Sequence, residues 1–166
     1  GALAFAAHAA DPAKVLRLAS PDIETLDPQQ YADDPSFQVL MAIFEPLYEW
    51  DYLASPPRLT ALTAAALPEV TDGGKTWTIR IKKGIRFTDD PAFGGKPREL
   101  TADDYVYSYK RWMDPNGRRG GQPILTDLIV GARPVVDAAR TAGKFDFAQP
   151  IEGLRALDRY SLQLRL

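Results

Sequence analysis

Apolar and polar residues alternate most cleanly in two stretches of this chain. After Thr71-Asp72-Gly73-Gly74, Trp77, Ile79 and Ile81 alternate with Thr78, Arg80 and Lys82, the period-two pattern of a strand with one buried face. The Asp-Gly-Gly turn in front makes this the second strand of a hairpin. Ile85 and Phe87 keep the same parity beyond Gly84, so a bend or bulge is expected at that glycine. Near the end, Tyr160, Leu162, Leu164 and Leu166 alternate with Arg159, Ser161, Gln163 and Arg165, again a strand with one apolar face. The sequence stops inside that strand, which points to a piece of a longer protein. A shorter alternation predicts a strand over 14–19, ended by Pro21.

Helical periodicity marks the intervening segments. Phe37, Leu40, Met41 and Phe44 recur at i, i+3, i+4 and i+7. Asp34 is the expected N-cap of that helix and Pro35 its first residue, with Asp33 solvated. Pro46 stops the helix by Glu45, and 47–50 extends as a strand. Tyr105, Val106, Tyr109, Trp112 and Met113 form a second apolar face, with Tyr107 off it and expected exposed. Thr101 opens this helix, its hydroxyl placed to accept from the Asp104 amide, and Asp103 and Asp104 sit at the positive end. Asp114-Pro115-Asn116-Gly117 closes it. Ile124, Leu125, Leu128 and Ile129 predict a short helix, and 134–142 another that ends at Gly143. Of the connections, 23–28 reads as a turn with a buried Leu26, and 59–67, rich in alanine, as containing a helical turn. Residues 93–99 read as an exposed loop and 118–122 as a flexible basic one.

Composition narrows the chemistry. The 166 residues carry a net charge of -2 and a pI near 5.4, which lacks the basic balance of a nucleic-acid surface. With no cysteine, a disulfide framework, a thiolate metal site and a cysteine nucleophile are all excluded within these residues. No run approaches the length of a membrane span. The alanine-rich start, with the single histidine His8, reads as a flexible terminus over 1–13, such as remains after a signal peptide is removed. One histidine supplies neither a metal site nor a serine triad, and no phosphate-binding glycine motif occurs. Gly73-Gly74 and Gly94-Gly95 are turn glycines. Asp103 and Asp104 serve a helix start rather than acid-base catalysis. No catalytic residue, cofactor or metal site is expected, and an enzyme is disfavoured.

Six segments in order carry a resemblance. They are Leu26-Asp27-Pro28, Phe44-Glu45-Pro46-Leu47, and the hairpin from Asp72 through Trp77 into Ile81-Lys82-Lys83-Gly84-Ile85-Arg86-Phe87. Then come Leu100-Thr101-Ala102-Asp103-Asp104-Tyr105-Val106-Tyr107-Ser108, then Lys110-Arg111 with Asp114-Pro115, and finally Ile151-Glu152-Gly153-Leu154-Arg155-Ala156-Leu157-Asp158. Over 14–166 this order resembles family 5 extracellular solute-binding proteins, the oligopeptide, dipeptide and nickel-peptide binders of ABC importers. The chain departs from the usual pattern at Thr88-Asp89-Asp90-Pro91 and the inserted Ala92-Phe93-Gly94-Gly95, the mark of a subgroup with a longer loop.

The resemblance implies an α/β fold, the N-terminal portion of a type II periplasmic-binding-protein-like architecture. Segment 14–44 would belong to the first lobe, and 45–166 would form a smaller α/β subdomain with a β-hairpin and begin the return. Complete members of the family are about three times this length, with two lobes that close over a ligand. The implied role is the substrate-binding component of an importer, periplasmic, with its signal peptide removed. Its partners would be a peptide or other small solute and the permease subunits, and it would be peripheral to the membrane. A solute-sensing regulatory module of the same fold is the alternative. By the same resemblance the ligand-facing residues are Tyr31, Ala32, Asp33 and Asp34, through their extended backbone, and Arg118 and Arg119 in the later loop. The ligand itself, whether peptide, metal chelate, opine or sugar, is left open. Residues 1–166 alone are expected to bind weakly and to self-associate through the last strand.

Overall fold

The computed structural model describes residues 15, 21–117 and 120–166. The strand expected over 14–19, the terminus over 1–13, and Arg118 and Arg119 lie outside the described residues.

Helix α1, Asp34–Ile43, is followed by the hairpin strands β1, Tyr48–Asp51, and β2, Arg58–Ala61. A second hairpin, β3 (Glu69–Thr71) and β4 (Thr76–Arg80), turns through Asp72–Gly74. Three helices come next: α2, Ala102–Met113; α3, Pro123–Leu128; and α4, Ala132–Ala142. Strands β5, Leu154–Asp158, and β6, Ser161–Arg165, complete a four-stranded antiparallel sheet in the order β3-β4-β6-β5.

The alternation read from sequence sets the two faces of this sheet. Ile79 of β4 stands opposite Leu162 of β6, which stands opposite Ala156 of β5. Leu162 is wholly buried, and α2 packs across β5 and β6 to cover this face. The next row, Thr78, Gln163 and Arg155, is polar, and the Arg155 guanidinium donates to the Gln163 side chain at 2.9 Å. One apolar face against helices and one polar face is the expected division for an antiparallel sheet. Met113, Ile129, Val135, Val136 and Phe145 complete the core from the helical side. Gly153 sits where three backbone segments meet. A Cβ there would lie 2.6 Å from the Arg165 carbonyl and 2.7 Å from the Val130 amide, so only glycine fits.

Several expectations need correction. The helical turn expected over 59–67 is replaced by β2, because pairing with β1 uses its backbone groups. β5 was not anticipated, since Leu154, Ala156 and Asp158 give too weak an alternation. Leu26 is 51% exposed rather than buried. The periodic face of α1 buries Leu40 but leaves Phe37, Met41 and Phe44 exposed; its neighbours among the described residues cover only one edge. Trp112 is likewise 40% exposed. The last strand, expected to present an open edge, is central, with β4 on one side and β5 on the other. Other expectations match. Gly84 turns the chain at φ 83° and Gly143 ends α4 at φ 65°, both left-handed conformations suited to glycine. Tyr107 is exposed, and α2 ends at Met113.

Candidate functional site

The segment from Glu24 to Asp33 forms one loop, held with the first turn of α1 by short polar side chains. The Ser36 hydroxyl accepts from the Glu24 amide at 2.8 Å and the Thr25 amide at 3.3 Å. The Asp27 amide donates to the Thr25 hydroxyl at 3.0 Å. Asp27 then caps the next turn. One carboxylate oxygen accepts from the Gln29 amide at 3.0 Å and its carbonyl from the Gln30 amide at 3.0 Å. Such side-chain-to-backbone bonds are why Ser, Thr and Asp favour turns.

Four of the predicted ligand-facing residues lie at the end of this loop. Tyr31 stacks on Phe37, ring centroids 5.7 Å apart at 26°. Ala32 is exposed, and neither it nor Tyr31 belongs to a helix or strand. The cap of α1 is Asp33, not Asp34: one Asp33 oxygen accepts from the Ser36 amide at 3.1 Å, and Pro35 falls one position further into the helix. The correction has a simple cause. A capping carboxylate serves the amide three residues on, and in this chain that amide belongs to the buried Ser36. Asp34 is exposed in the first turn. Bonding to the Ser36 side chain holds the Asp33 carboxyl below the usual carboxylate value, against a smaller opposing effect of burial. The other Asp33 oxygen and the Gln29 side-chain oxygen are buried without a hydrogen-bond partner among the described residues.

The loop rests on the C-terminal half of α2. Arg111 donates to the second Asp27 oxygen at 2.6 Å, and the Gln29 side chain donates to the Ser108 carbonyl at 2.8 Å. Gly117 abuts Gln30, whose side-chain Nε2 lies 3.0 Å from where a Cβ would stand. Gln30 and Gly117, which immediately precede the two segments that the sequence singled out, therefore lie side by side. That second loop folds back on α2. The Gln122 amide donates to the Trp112 carbonyl at 2.7 Å, and a Cβ on Gly121 would lie 2.8 Å from the Met113 carbonyl. Beneath it opens a cleft of about 290 Å³ lined by Met113, Gly121, Thr126, Arg133, Val136 and Arg140. Its cations are already engaged, Arg133 by Asp127 and Arg140 by Asp137. Asp27, Gln29, Ser36 and Arg111 were not among the predicted site residues. Their motifs were visible, but the pairing of Asp27 with Arg111 joins positions far apart in sequence.

Among the described residues, no group of three or more His, Asp or Glu side chains could hold a metal ion. No described helix is long and apolar enough to cross a membrane.

Known proteins share this architecture. The family described as Bacterial extracellular solute-binding proteins, family 5 Middle matches residues 58–166. Di/tripeptide-binding protein 2 of Pseudomonas aeruginosa is 35% identical over 141 residues, 82% of this chain and 24% of that protein. Heme-binding protein A of Haemophilus influenzae is 38% identical over 48 residues, 29% of this chain and 9% of that protein. Among solved structures, Listeria monocytogenes OppA bound to peptide superposes with a TM-score of 0.65 at 25% identity, covering 89% of this chain and 25% of that one. The chain thus spans about a quarter of the length of such relatives, less than the third that was expected. With the family match extending through the sheet and helices that carry the loop, this chain belongs to the family 5 bacterial extracellular solute-binding proteins.

Proposed function

We propose that the protein is the substrate-binding component of an ABC importer, located in the periplasm after loss of its signal peptide. In this reading it captures a peptide or similar small solute between lobes and delivers it to the permease subunits, peripheral to the membrane and without catalysis. The observation that carries the proposal is the 35% identity over 82% of the chain to a protein named for binding di- and tripeptides. Segment 14–44 would contribute to the first lobe and 45–166 would form the smaller subdomain. Tyr31, Ala32, Asp33 and Asp34 would line the cleft. Tyr31 and Ala32 lie outside helix and strand and Asp33 is extended at φ -113° and ψ 151°, which would suit pairing with an extended peptide, whereas Asp34, in the first turn of α1, would contribute only its side chain. Arg118 and Arg119 would face the same ligand from the adjoining loop. Binding between lobes requires the remainder of the protein, because one wall buries only part of a ligand's surface.

The test is calorimetry on the full-length protein against a library of di- and tripeptides, with heme as the contrasting arm. Micromolar or tighter peptide binding is expected, and residues 1–166 alone should bind far more weakly. Heme binding without peptide binding would overturn the assignment of ligand class. Equal affinity of residues 1–166 and the full-length protein would overturn the two-lobe division.

A further inference from the structure

We infer that Arg111 is a positioning residue for ligand binding: from α2 it holds, through Asp27, the backbone segment Tyr31, Ala32 and Asp33 in its binding geometry. The inference rests on the proposed ligand-facing role of that segment.

The segment hangs between two anchors. At its far end Asp33 and Ser36 fix the start of α1, and the Ser36 hydroxyl ties back to Glu24 and Thr25. Those bonds are local and move with the loop. At its near end stands Asp27, and this anchor reaches outside the loop. One of its oxygens sets the turn by accepting from Gln29, while the other takes the Arg111 guanidinium at 2.6 Å. The same carboxylate thus fixes both the shape of the turn and its place on α2. Ser108 lies one helical turn before Arg111 on the same face, and its carbonyl takes the Gln29 side chain. Both partners of the ion pair are about one-third exposed, 34% for Arg111 and 30% for Asp27, so the pair is partly shielded from solvent and salt. Three residues after Gln29 the chain is already at Ala32, too short a path to absorb a displaced turn. α2 is itself fixed by the buried Lys110, which donates to the Phe147 and Gln149 carbonyls at 2.8 Å each. Arg111 therefore acts from a rigid base.

Without the anchor, the loop would sample other orientations, and apparent affinity would fall by the fraction of molecules still competent. The experiment uses the full-length protein, with the tripeptide that it binds most tightly from a tripeptide library as the probe. Arg111→Met, which keeps the aliphatic stem, should raise Kd about tenfold. Asp27→Asn should do the same, and the double variant should add little, as expected for two halves of one interaction. Arg111→Lys should recover part of the loss. Hydrogen exchange without ligand should quicken over 27–34 in Arg111→Met while the amides of β4 and β6 keep their protection. An unchanged Kd in Arg111→Met overturns the inference and leaves peptide binding standing, as does full additivity in the double variant. A parent that binds no tripeptide removes the proposed function, and this inference with it. If Arg111→Met folds poorly, Arg111→Lys carries the test, and unchanged exchange over 27–34 in that variant overturns the inference.

Discussion

Glu99 illustrates how one side chain closes several segments at once. Its carboxylate accepts from the Gly84 amide at 2.8 Å, from Arg159 at 3.0 Å and from the Tyr160 hydroxyl at 3.0 Å. The Gly84 amide, then Arg159 and Tyr160, hold its carboxyl below the ordinary 4.5. A carboxylate depressed in the folded state contributes stability that is fully present above its unfolded value and is lost as pH falls through the folded value. Glu99→Gln should therefore lower the urea midpoint at neutral pH, and the gap to the parent should close as pH falls below the ordinary glutamate range. A gap of equal size at neutral pH and at about pH 3 would show that the loss is one of packing, with no role for the charge. Arg98 makes a comparable junction, placing its guanidinium 4.4 Å from the Phe87 ring and 5.6 Å from the Phe93 ring. This gives the turn at Pro91–Phe93 a cation–π anchor.

At the scale of the element, the start of α2 is a capping box with an additional partner. Asp104 accepts from the Thr101 amide at 2.8 Å and from the Thr101 hydroxyl at 3.0 Å, and it also pairs with Arg98. Three donors converge on Asp104, while Thr101 contributes one side-chain bond. Thr101→Ala should cost about 1 kcal/mol, and Asp104→Ala should cost more, both read from urea midpoints. A larger loss for Thr101→Ala than for Asp104→Ala would contradict this assignment. α2 joins two regions, its start tied through Arg98 to Phe87 and Phe93 and its end carrying the Asp27 turn. Loosening its first turn should therefore disturb the sheet face before it disturbs the loop.

For the whole molecule, two groups of sequence neighbours stand out among the exposed apolar side chains of the described residues. Phe37, Met41, Ile43 and Phe44 lie along α1 and its end, and Trp50, Tyr52 and Leu53 lie at the tip of the first hairpin, with Tyr52 89% and Leu53 79% exposed. Clustered exposure of large apolar side chains favours association. Residues 1–166 expressed alone should self-associate, and light scattering that shows a monomer at high concentration would refute it. The basis differs from the one the sequence suggested. The last strand is saturated on both edges, so α1 and the hairpin tip are the surfaces that should associate. Converting Trp50, Tyr52 and Leu53 to serine should separate their contribution from that of α1.

The sequence by itself determined those features that depend on a residue's immediate neighbours. The Asp72-Gly73-Gly74 turn, the alternation of Ile79 and Leu162, the helix start at Thr101 and the stop at Gly143 each follow from local sterics or from period, and each stands in the fold as expected. The order of the motifs was also enough to identify the family. What only the tertiary structure decided were the pairings between distant segments. β2 is a strand because β1 lies beside it, although its own residues suggested a helical turn. β6 is central because β5, nearly invisible in the pattern, closes its other edge. Asp33 displaced Asp34 as the cap because Ser36 is buried against Glu24 and Thr25, and no rule of spacing separates two adjacent aspartates. The candidate site divides in the same way. Tyr31 to Asp34 could be named from the motif, whereas Asp27 and Arg111 became a pair only when the fold set α2 beneath the loop. Periodicity reports which face of an element is apolar. Which charged group meets which across the chain is set by packing, because an ion pair depends on distance in space and leaves no period in the sequence.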